Sequence, residues 1–133
     1  MPYAKRFEDL LVWQKARALA KRIWELTKKG SFARDFALRD QINAASGSSM
    51  DNIAEGFERD GNKEFHQHLG IAKGSIGEVR SQLHRALDRQ HIDEKEHEEL
   101  VSECVSISRM LNRLMMRLRS SGFRGRKFDD RAD

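Results

Sequence analysis

The chain has 133 residues, enough for one domain around one core, and 35% of them are charged, against about 25% in ordinary globular proteins. One Cys excludes an intrachain disulfide framework, and no apolar run approaches the roughly 20 residues needed to cross a membrane. With a single Pro, a net charge of +4 and no signal-peptide stretch, these totals predict a cytoplasmic, all-α bundle that favours polyanionic partners and makes no membrane contact.

The first two predicted helices span about 9–29 and 33–57. In the first helix, apolar residues recur at helical spacing, namely Val12, Ala16, Leu19, Ile23 and Leu26. Gly30-Ser31 is predicted to end it and to begin a turn. In the second helix, the predicted inward positions are Leu38, Ile42, Ala45, Ser49 and Ile53. Trp13 and Trp24 are expected in the core or at a subunit interface.

The third and fourth predicted helices span about 63–90 and 93–119, and a flexible basic tail, 120–133, follows them. Asn62 is the predicted N-cap of the third helix. Asp93 and Glu96 have the spacing of a capping box at the start of the fourth. The fourth helix has the most regular apolar stripe: Leu100, Cys104, Ile107, Leu111, Leu114 and Leu118. Residues 1–119 therefore predict an antiparallel up-down four-helix bundle.

Six small residues, 44–49, stand in the middle of the second helix, although Gly costs about 1 kcal/mol relative to Ala in a helix. A hairpin about Asp60 places them opposite 71–76, which includes Gly74. We therefore predict a seam of close contact there, which a larger residue at Gly74 would disrupt. The same register predicts that Gln41 lies near Glu78 and Asn52 near His68.

Three segments carry a family resemblance: FEDLLVWQKA at 7–16, QINAA and NIAEG within 41–56, and KEFHQHLGIAKGSIGE at 63–78. Together they resemble the four-helix-bundle family first noted as proteins encoded in 23S rRNA intervening sequences. That family is related to the accessory variability determinant of diversity-generating retroelements. The resemblance covers Phe7 to about Leu118.

The resemblance implies an up-down bundle assembled as a homopentamer, often with a basic surface and suspected nucleic-acid binding, and no established catalysis. Its signature, interpreted as a structural network, falls on Gln41, Ser48, Asn52, Glu55, Gly56, Ser75 and Glu78. Family members often carry basic residues after the Gln-Ile pair, where this chain has Asn43-Ala44. Any nucleic-acid contact that those residues make in relatives is absent here.

No pattern predicts an enzyme, a cofactor or a metal site. The glycines at 70–77 follow neither phosphate-loop nor dinucleotide-binding spacing, and the five His include no pair four residues apart. Cys104 lies in an apolar stripe, where a thiol acts as a small hydrophobe. The least favoured alternative is an enzyme that uses Glu55, Glu78 and His68.

Basic residues dominate the C-terminal part of the chain, since 109–127 contains seven and no acidic residue. Arg109, Arg113 and Arg117, spaced by four, are predicted to form one exposed line. The full set of nucleic-acid candidates is Arg109, Arg113, Arg117, Arg119, Arg124, Arg126, Lys127, Lys15 and Arg22. The sequence leaves open whether this is a phosphate-binding surface or a solvated face with a C-terminal charge preference.

Two functions therefore stand as hypotheses. The first is a non-enzymatic homo-oligomer that binds structured RNA or DNA through the phosphate backbone. The second is a protein-interaction scaffold, for example for a reverse transcriptase-like partner. Binding through the backbone would be mostly sequence-independent, because nothing resembles a groove-reading motif.

Overall fold

The computed structural model describes residues 4–125 and Asp130, and it is all-helical over that part of the chain. A single 3-10 turn, Phe7–Asp9, precedes five helices. They are α1 (Leu11–Thr27), α2 (Gly30–Arg34), α3 (Phe36–Glu58), α4 (Asn62–Asp88) and α5 (Glu94–Ser120). The predicted all-α class is confirmed. Helix α3 packs against α4, α4 also packs against α5, and α1 lies against both α3 and α5.

Helix α5 has its apolar stripe fully inside the core. All six predicted residues of the stripe, from Leu100 to Leu118, are buried. Asp93 accepts from the backbone N–H of Glu96 at 2.7 Å, and the Glu96 carboxylate accepts from the Asp93 N–H at 3.0 Å. The predicted capping box is therefore confirmed, and it satisfies backbone donors that a helix start otherwise leaves unpaired.

Helices α3 and α4 run antiparallel, because residues later in α3 form hydrogen bonds with residues earlier in α4. Gln41 pairs with Arg85, Ser48 with Ser75, and Asn52 with His68. The last pair confirms the predicted register at the turn end of the hairpin. The five predicted inward residues of α3, from Leu38 to Ile53, are all buried.

Two predicted helix boundaries are wrong. Gly30-Ser31 does not begin a turn but the short helix α2, whose Phe32 is buried against the core. Gly30 has a φ of 56°, a left-handed conformation that Gly adopts without steric cost. Asn62 is not an N-cap, since Gly61 takes that position. The Asn62 amide instead donates to the carbonyls of Arg124 and Gly125, at 3.3 and 2.8 Å.

The junction between α2 and α3 is tied to the turn after α4 by a carboxylate. Asp35 caps α3 and accepts from His91 Nε2 at 2.8 Å and from Arg89 Nη1 at 2.9 Å. The hydrogen bond from His91 and then that from Arg89 lower the pKa of Asp35 from 3.8 to about 2. The other ring nitrogen of His91 lies 2.8 Å from Ser31 Oγ, so the cluster joins three segments.

The predicted seam is wrong at Gly74. Gly74 and Gly77 are exposed on α4, and a Cβ added at either would meet no atom of the described residues within 4 Å. The close approach lies elsewhere, at the buried Gly56. A Cβ there would stand 2.5 Å from His68 Cβ and 3.2 Å from Phe65 Cδ1. The hydroxyl pair Ser48–Ser75, 3.1 Å apart, is a contact of small residues across the hairpin of the kind predicted.

Part of the segment that follows α5 contacts the helices. Phe123 packs edge-on against His66, with ring centroids 5.4 Å apart. The Asp130 carboxylate accepts from the backbone N–H groups of Leu11 and Val12, at 2.7 and 2.8 Å. An acidic group at the start of α1 complements the positive end of the helix dipole. Within the described residues, no helix has the length and apolarity to cross a bilayer.

Candidate nucleic-acid interface

A groove between α4 and α5 is lined by three cations and, among the described residues, by no carboxylate. It has a volume of about 330 Å³ and is lined by Lys73, Ser108, Arg109, Asn112, Arg113 and Met116. Lys73, Arg109 and Arg113 are exposed, and the Lys73 Nζ donates to Asn112 Oδ1 at 3.4 Å. The antiparallel packing of α4 on α5 carries Lys73 to this position. Sequence analysis missed Lys73, because only the register between the two helices associates it with the arginines.

The two arginines border a second groove, on the side of α5 that faces α1. This groove, of about 420 Å³, is lined by Arg109 and Arg113 together with Leu11, Ser102, Val105, Ser106, Met110 and Asp130. Lys15 is exposed farther along α1 and shares Ser106 as a neighbour. Asp130 and Glu103 make this side of α5 mixed in charge. The α4–α5 groove is therefore the more uniformly cationic of the two.

The remaining basic candidates have different surroundings. Arg117 does not continue the exposed line, because it is partly buried and one of its guanidinium nitrogens is inaccessible to solvent. Arg119 and Arg124 are exposed. Arg22 is ion-paired with Glu99 at 2.6 Å and with Glu103 at 3.8 Å, so its charge is compensated within the chain. Arg126 and Lys127 lie outside the described residues.

The predicted polar line of α3 forms a hydrogen-bonded network over part of its length. Asn52 Nδ2 donates to the carbonyl and hydroxyl oxygens of Ser48, at 2.9 and 3.1 Å, while Asn52 Oδ1 accepts from His68 Nδ1 at 3.1 Å. Ser75 completes the chain through Ser48. A network that satisfies its own members fixes the register of two helices.

The other signature residues stand outside that network. Gln41 Oε1 accepts from Arg85 Nη2 at 3.1 Å, and Glu55 forms an exposed ion pair with Arg59 at 3.2 Å. Gly56 is required by the close approach of His68, and Glu78 is exposed on α4. Of the residues of the enzymatic alternative, Glu55 pairs with Arg59, His68 bonds Asn52, and Glu78 lines the groove between α3 and α4.

Reactive groups elsewhere are held in inert settings. Burial raises the pKa of the Cys104 thiol to about 12, so the nucleophilic thiolate is absent at neutral pH. Burial, followed by the positive charge of Arg119, lowers the pKa of His66. Within 4–125 and Asp130, no cluster of three or more His, Cys, Asp or Glu side chains has a metal-binding arrangement.

Antiparallel amphipathic helices, a polar network whose members bond one another and a groove lined by three cations define a helical-bundle protein with an exposed basic surface. The model of the 23S rRNA-intervening sequence protein family matches residues 8–113. The chain therefore belongs to that family, as the resemblance predicted. The matched region includes Lys73, Arg109 and Arg113.

The fold has a solved counterpart. It is similar to a protein of unknown function from the S23 ribosomal protein family of Bacteroides thetaiotaomicron VPI-5482, with a TM-score of 0.72 and 20% sequence identity. The alignment covers 79% of this chain and 98% of that one. No curated protein matches this sequence. At this identity the likeness concerns the fold alone.

Proposed function

We propose that the protein is a non-enzymatic, homo-oligomeric up-down four-helix bundle that binds structured RNA or DNA through the phosphate backbone. The observation that carries this proposal is the groove that Lys73, Arg109 and Arg113 line together, with no carboxylate from the described part of the chain. Membership of a family named for 23S rRNA intervening sequences agrees with a nucleic-acid partner. The pentameric assembly is proposed from the family resemblance.

The side chains of the groove suit a phosphodiester. A guanidinium can donate two parallel hydrogen bonds to phosphate oxygens, and an ammonium adds a mobile point charge. Asn112 and Ser108 offer neutral polar groups beside them, and Met116, 55% exposed, offers an apolar contact for a sugar or a base. Because these contacts address the backbone, we expect affinity to depend on salt and structure more than on base sequence.

Assembly would strengthen a site that is weak in one subunit. Two arginines and one lysine make few phosphate contacts, and each contact contributes only modestly at physiological salt. A ring of subunits repeats the groove, so a nucleic acid that spans two grooves gains from effective concentration. A structured RNA of sufficient length would therefore bind more tightly than a short duplex that reaches one subunit.

The test measures binding of a labelled structured RNA and of duplex DNA across a salt series, with light scattering on the same samples. The variant is Lys73→Glu/Arg109→Glu/Arg113→Glu. The control, Lys21→Glu/Lys63→Glu/Lys95→Glu, makes the same change in net charge at exposed positions away from the groove. We expect the first variant to lose most of the affinity and salt slope, with the slope falling by about 0.9 per duplex phosphate contact, while the control stays near wild type.

Equal losses in both variants would show that only net charge matters and would contradict the groove. An absence of wild-type binding near physiological salt would contradict the proposed function. In that case, recovery of one defined protein from the native host, unaffected by nuclease, would support the scaffold role instead.

A further inference from the structure

The outer face of the α3–α4 pair carries unusually small side chains for an exposed helix surface. Ala44 and Gly74 are exposed there, and Ile71 is 53% exposed. An exposed glycine inside a helix costs about 1 kcal/mol relative to Ala. Among the described residues, nothing lies within 4 Å of a Cβ added at Gly74 to offset that cost. Such a surface is suited to receiving another element at close range.

A second observation on this face points to an occupant. A groove of about 540 Å³ is lined by Gln41, Ala44, Ala45, Ser48, Glu78, Gln82 and Arg85. Gln82 is only 6% exposed, and its Oε1 is buried without a hydrogen-bond partner among the described residues. A buried acceptor left unpaired costs about 1–3 kcal/mol. An occupant that brought an N–H or O–H donor to this oxygen would remove that cost.

A complementary surface exists on the same chain. Trp24 and Phe36 are 53% and 63% exposed, although aromatic side chains of this size are usually buried. The ammonium of Lys28 lies 5.7 Å from the centre of the Trp24 ring, and the Arg39 guanidinium lies 4.8 Å from that of Phe36. The indole N–H of Trp24 makes no hydrogen bond within the described part of the chain. This aromatic patch thus offers an apolar body, a donor and the positive charge of Lys28, whereas the charge of Arg39 is compensated by Asp40 at 3.1 Å.

We propose that Trp24 of one copy docks in the α3–α4 groove of the next copy, where its indole N–H donates to Gln82 Oε1. The inference rests on the proposed oligomer and names the surfaces that build it. A Trp N–H usually finds a partner when it becomes buried, and Gln82 lacks one. The positive charge of Lys28 faces the carboxylate of Glu78, which makes no ion pair among the described residues.

The two surfaces are different parts of the chain, so their contact is heterologous. On α1, Thr27 accepts from Asn43 of α3, which places the aromatic patch on one side of α3 and the groove on the other. A heterologous contact produces a closed ring if its rotation closes, whereas a two-fold dimer uses the same patch on both subunits. The docking is therefore compatible with a cyclic assembly of five.

The experiment uses one variant of each surface, Trp24→Glu and Ala44→Arg, with Ala18→Arg as a matched control at an exposed position on another face of α1. Light scattering is expected to give wild-type mass for the control and subunit mass for each docking variant, with unchanged far-ultraviolet circular dichroism. Mixing the two docking variants restores one intact pair of surfaces, so we expect a heterodimer and no ring. Glu78→Arg, which places like charge opposite Lys28, provides a second groove variant.

The hydrogen bond has its own test. Trp24→Phe and Gln82→Leu are each expected to raise the dissociation constant of the contact between copies by about two- to tenfold. The double variant should raise it by no more than either single variant does. Wild-type assembly in Trp24→Glu and Ala44→Arg would overturn this interface while leaving the oligomer intact. Two monomeric variants that fail to pair would also overturn it. A wild-type protein that is monomeric at every concentration would overturn the proposed oligomer itself.

Discussion

Small residues serve opposite purposes at two places in the α3–α4 pair. At the turn end, Gly56 is buried against His68 and Phe65, and the backbone of α3 approaches α4 because no Cβ intervenes. In the middle of α4, Gly74 and Gly77 face outward, and a Cβ on either would meet nothing. The comparison teaches that a small residue permits a close approach but does not by itself show that one occurs within the chain.

The largest effect on stability is expected from a substitution at the buried glycine, Gly56. Gly56→Ala places a Cβ 2.5 Å from the position of His68 Cβ, so one helix must shift. The nearest atom is a Cβ and not the far end of a flexible side chain, so the shift is costly. An overpacking cost in the upper part of the range of about 1–3 kcal/mol outweighs the gain of about 1 kcal/mol in helix propensity. We expect net destabilisation by urea unfolding at matched protein concentration. Equal or higher stability would show that the contact relaxes freely.

The polar network beside Gly56 is the next element to test. Asn52→Ala removes the acceptor of His68 and both donations to Ser48, so we expect a loss of about 1–2 kcal/mol in the free energy of unfolding. A double-mutant cycle with His68→Ala, again by urea unfolding, isolates the pair. The two substitutions should cost less together than the sum of the single effects. Additive losses would mean that Asn52 and His68 act independently.

A substitution at the exposed Gly74 is expected to change the free energy of unfolding by less and in the opposite direction. Gly74→Ala adds a methyl group to open space and improves helix propensity, so the subunit should gain up to about 1 kcal/mol. The measurement is best made in the Trp24→Glu variant, where no neighbouring copy is expected to contact this face. A clear loss of stability there would mean that the outer face of α4 packs within its own chain.

A pH series gives the smallest effect and tests a region away from both glycines. The pKa of Asp35 is lowered from 3.8 to about 2 by His91 and Arg89, so ionised Asp35 stabilises the folded state at neutral pH. That contribution is fully present above about pH 4 and is lost as the pH falls toward 2. The difference in unfolding free energy between wild type and Asp35→Asn should therefore be constant above pH 4 and shrink below it. A difference independent of pH down to 2 would contradict this assignment.

Regular, local patterns allowed much of the fold to be predicted. The apolar stripe of α5 and the Asp93–Glu96 capping box depend on spacing within a few turns, and each is confirmed. The hairpin register followed from the turn near Asp60 and is confirmed at Asn52–His68. Arg109 and Arg113 could be predicted as exposed because they lie off that stripe, whereas Arg117 could not be separated from them by spacing alone.

The sequence by itself determined the helical class and the core stripes of the long helices, because backbone hydrogen bonding and side-chain periodicity act over a few residues. Tertiary packing alone decided which side of α4 receives α5, and thereby brought Lys73 to the two arginines of the cationic groove. It also buried Trp13 while leaving Trp24 exposed, and buried Gly56 while leaving Gly74 open. These outcomes depend on the relative rotation of helices distant in sequence, which no local period specifies.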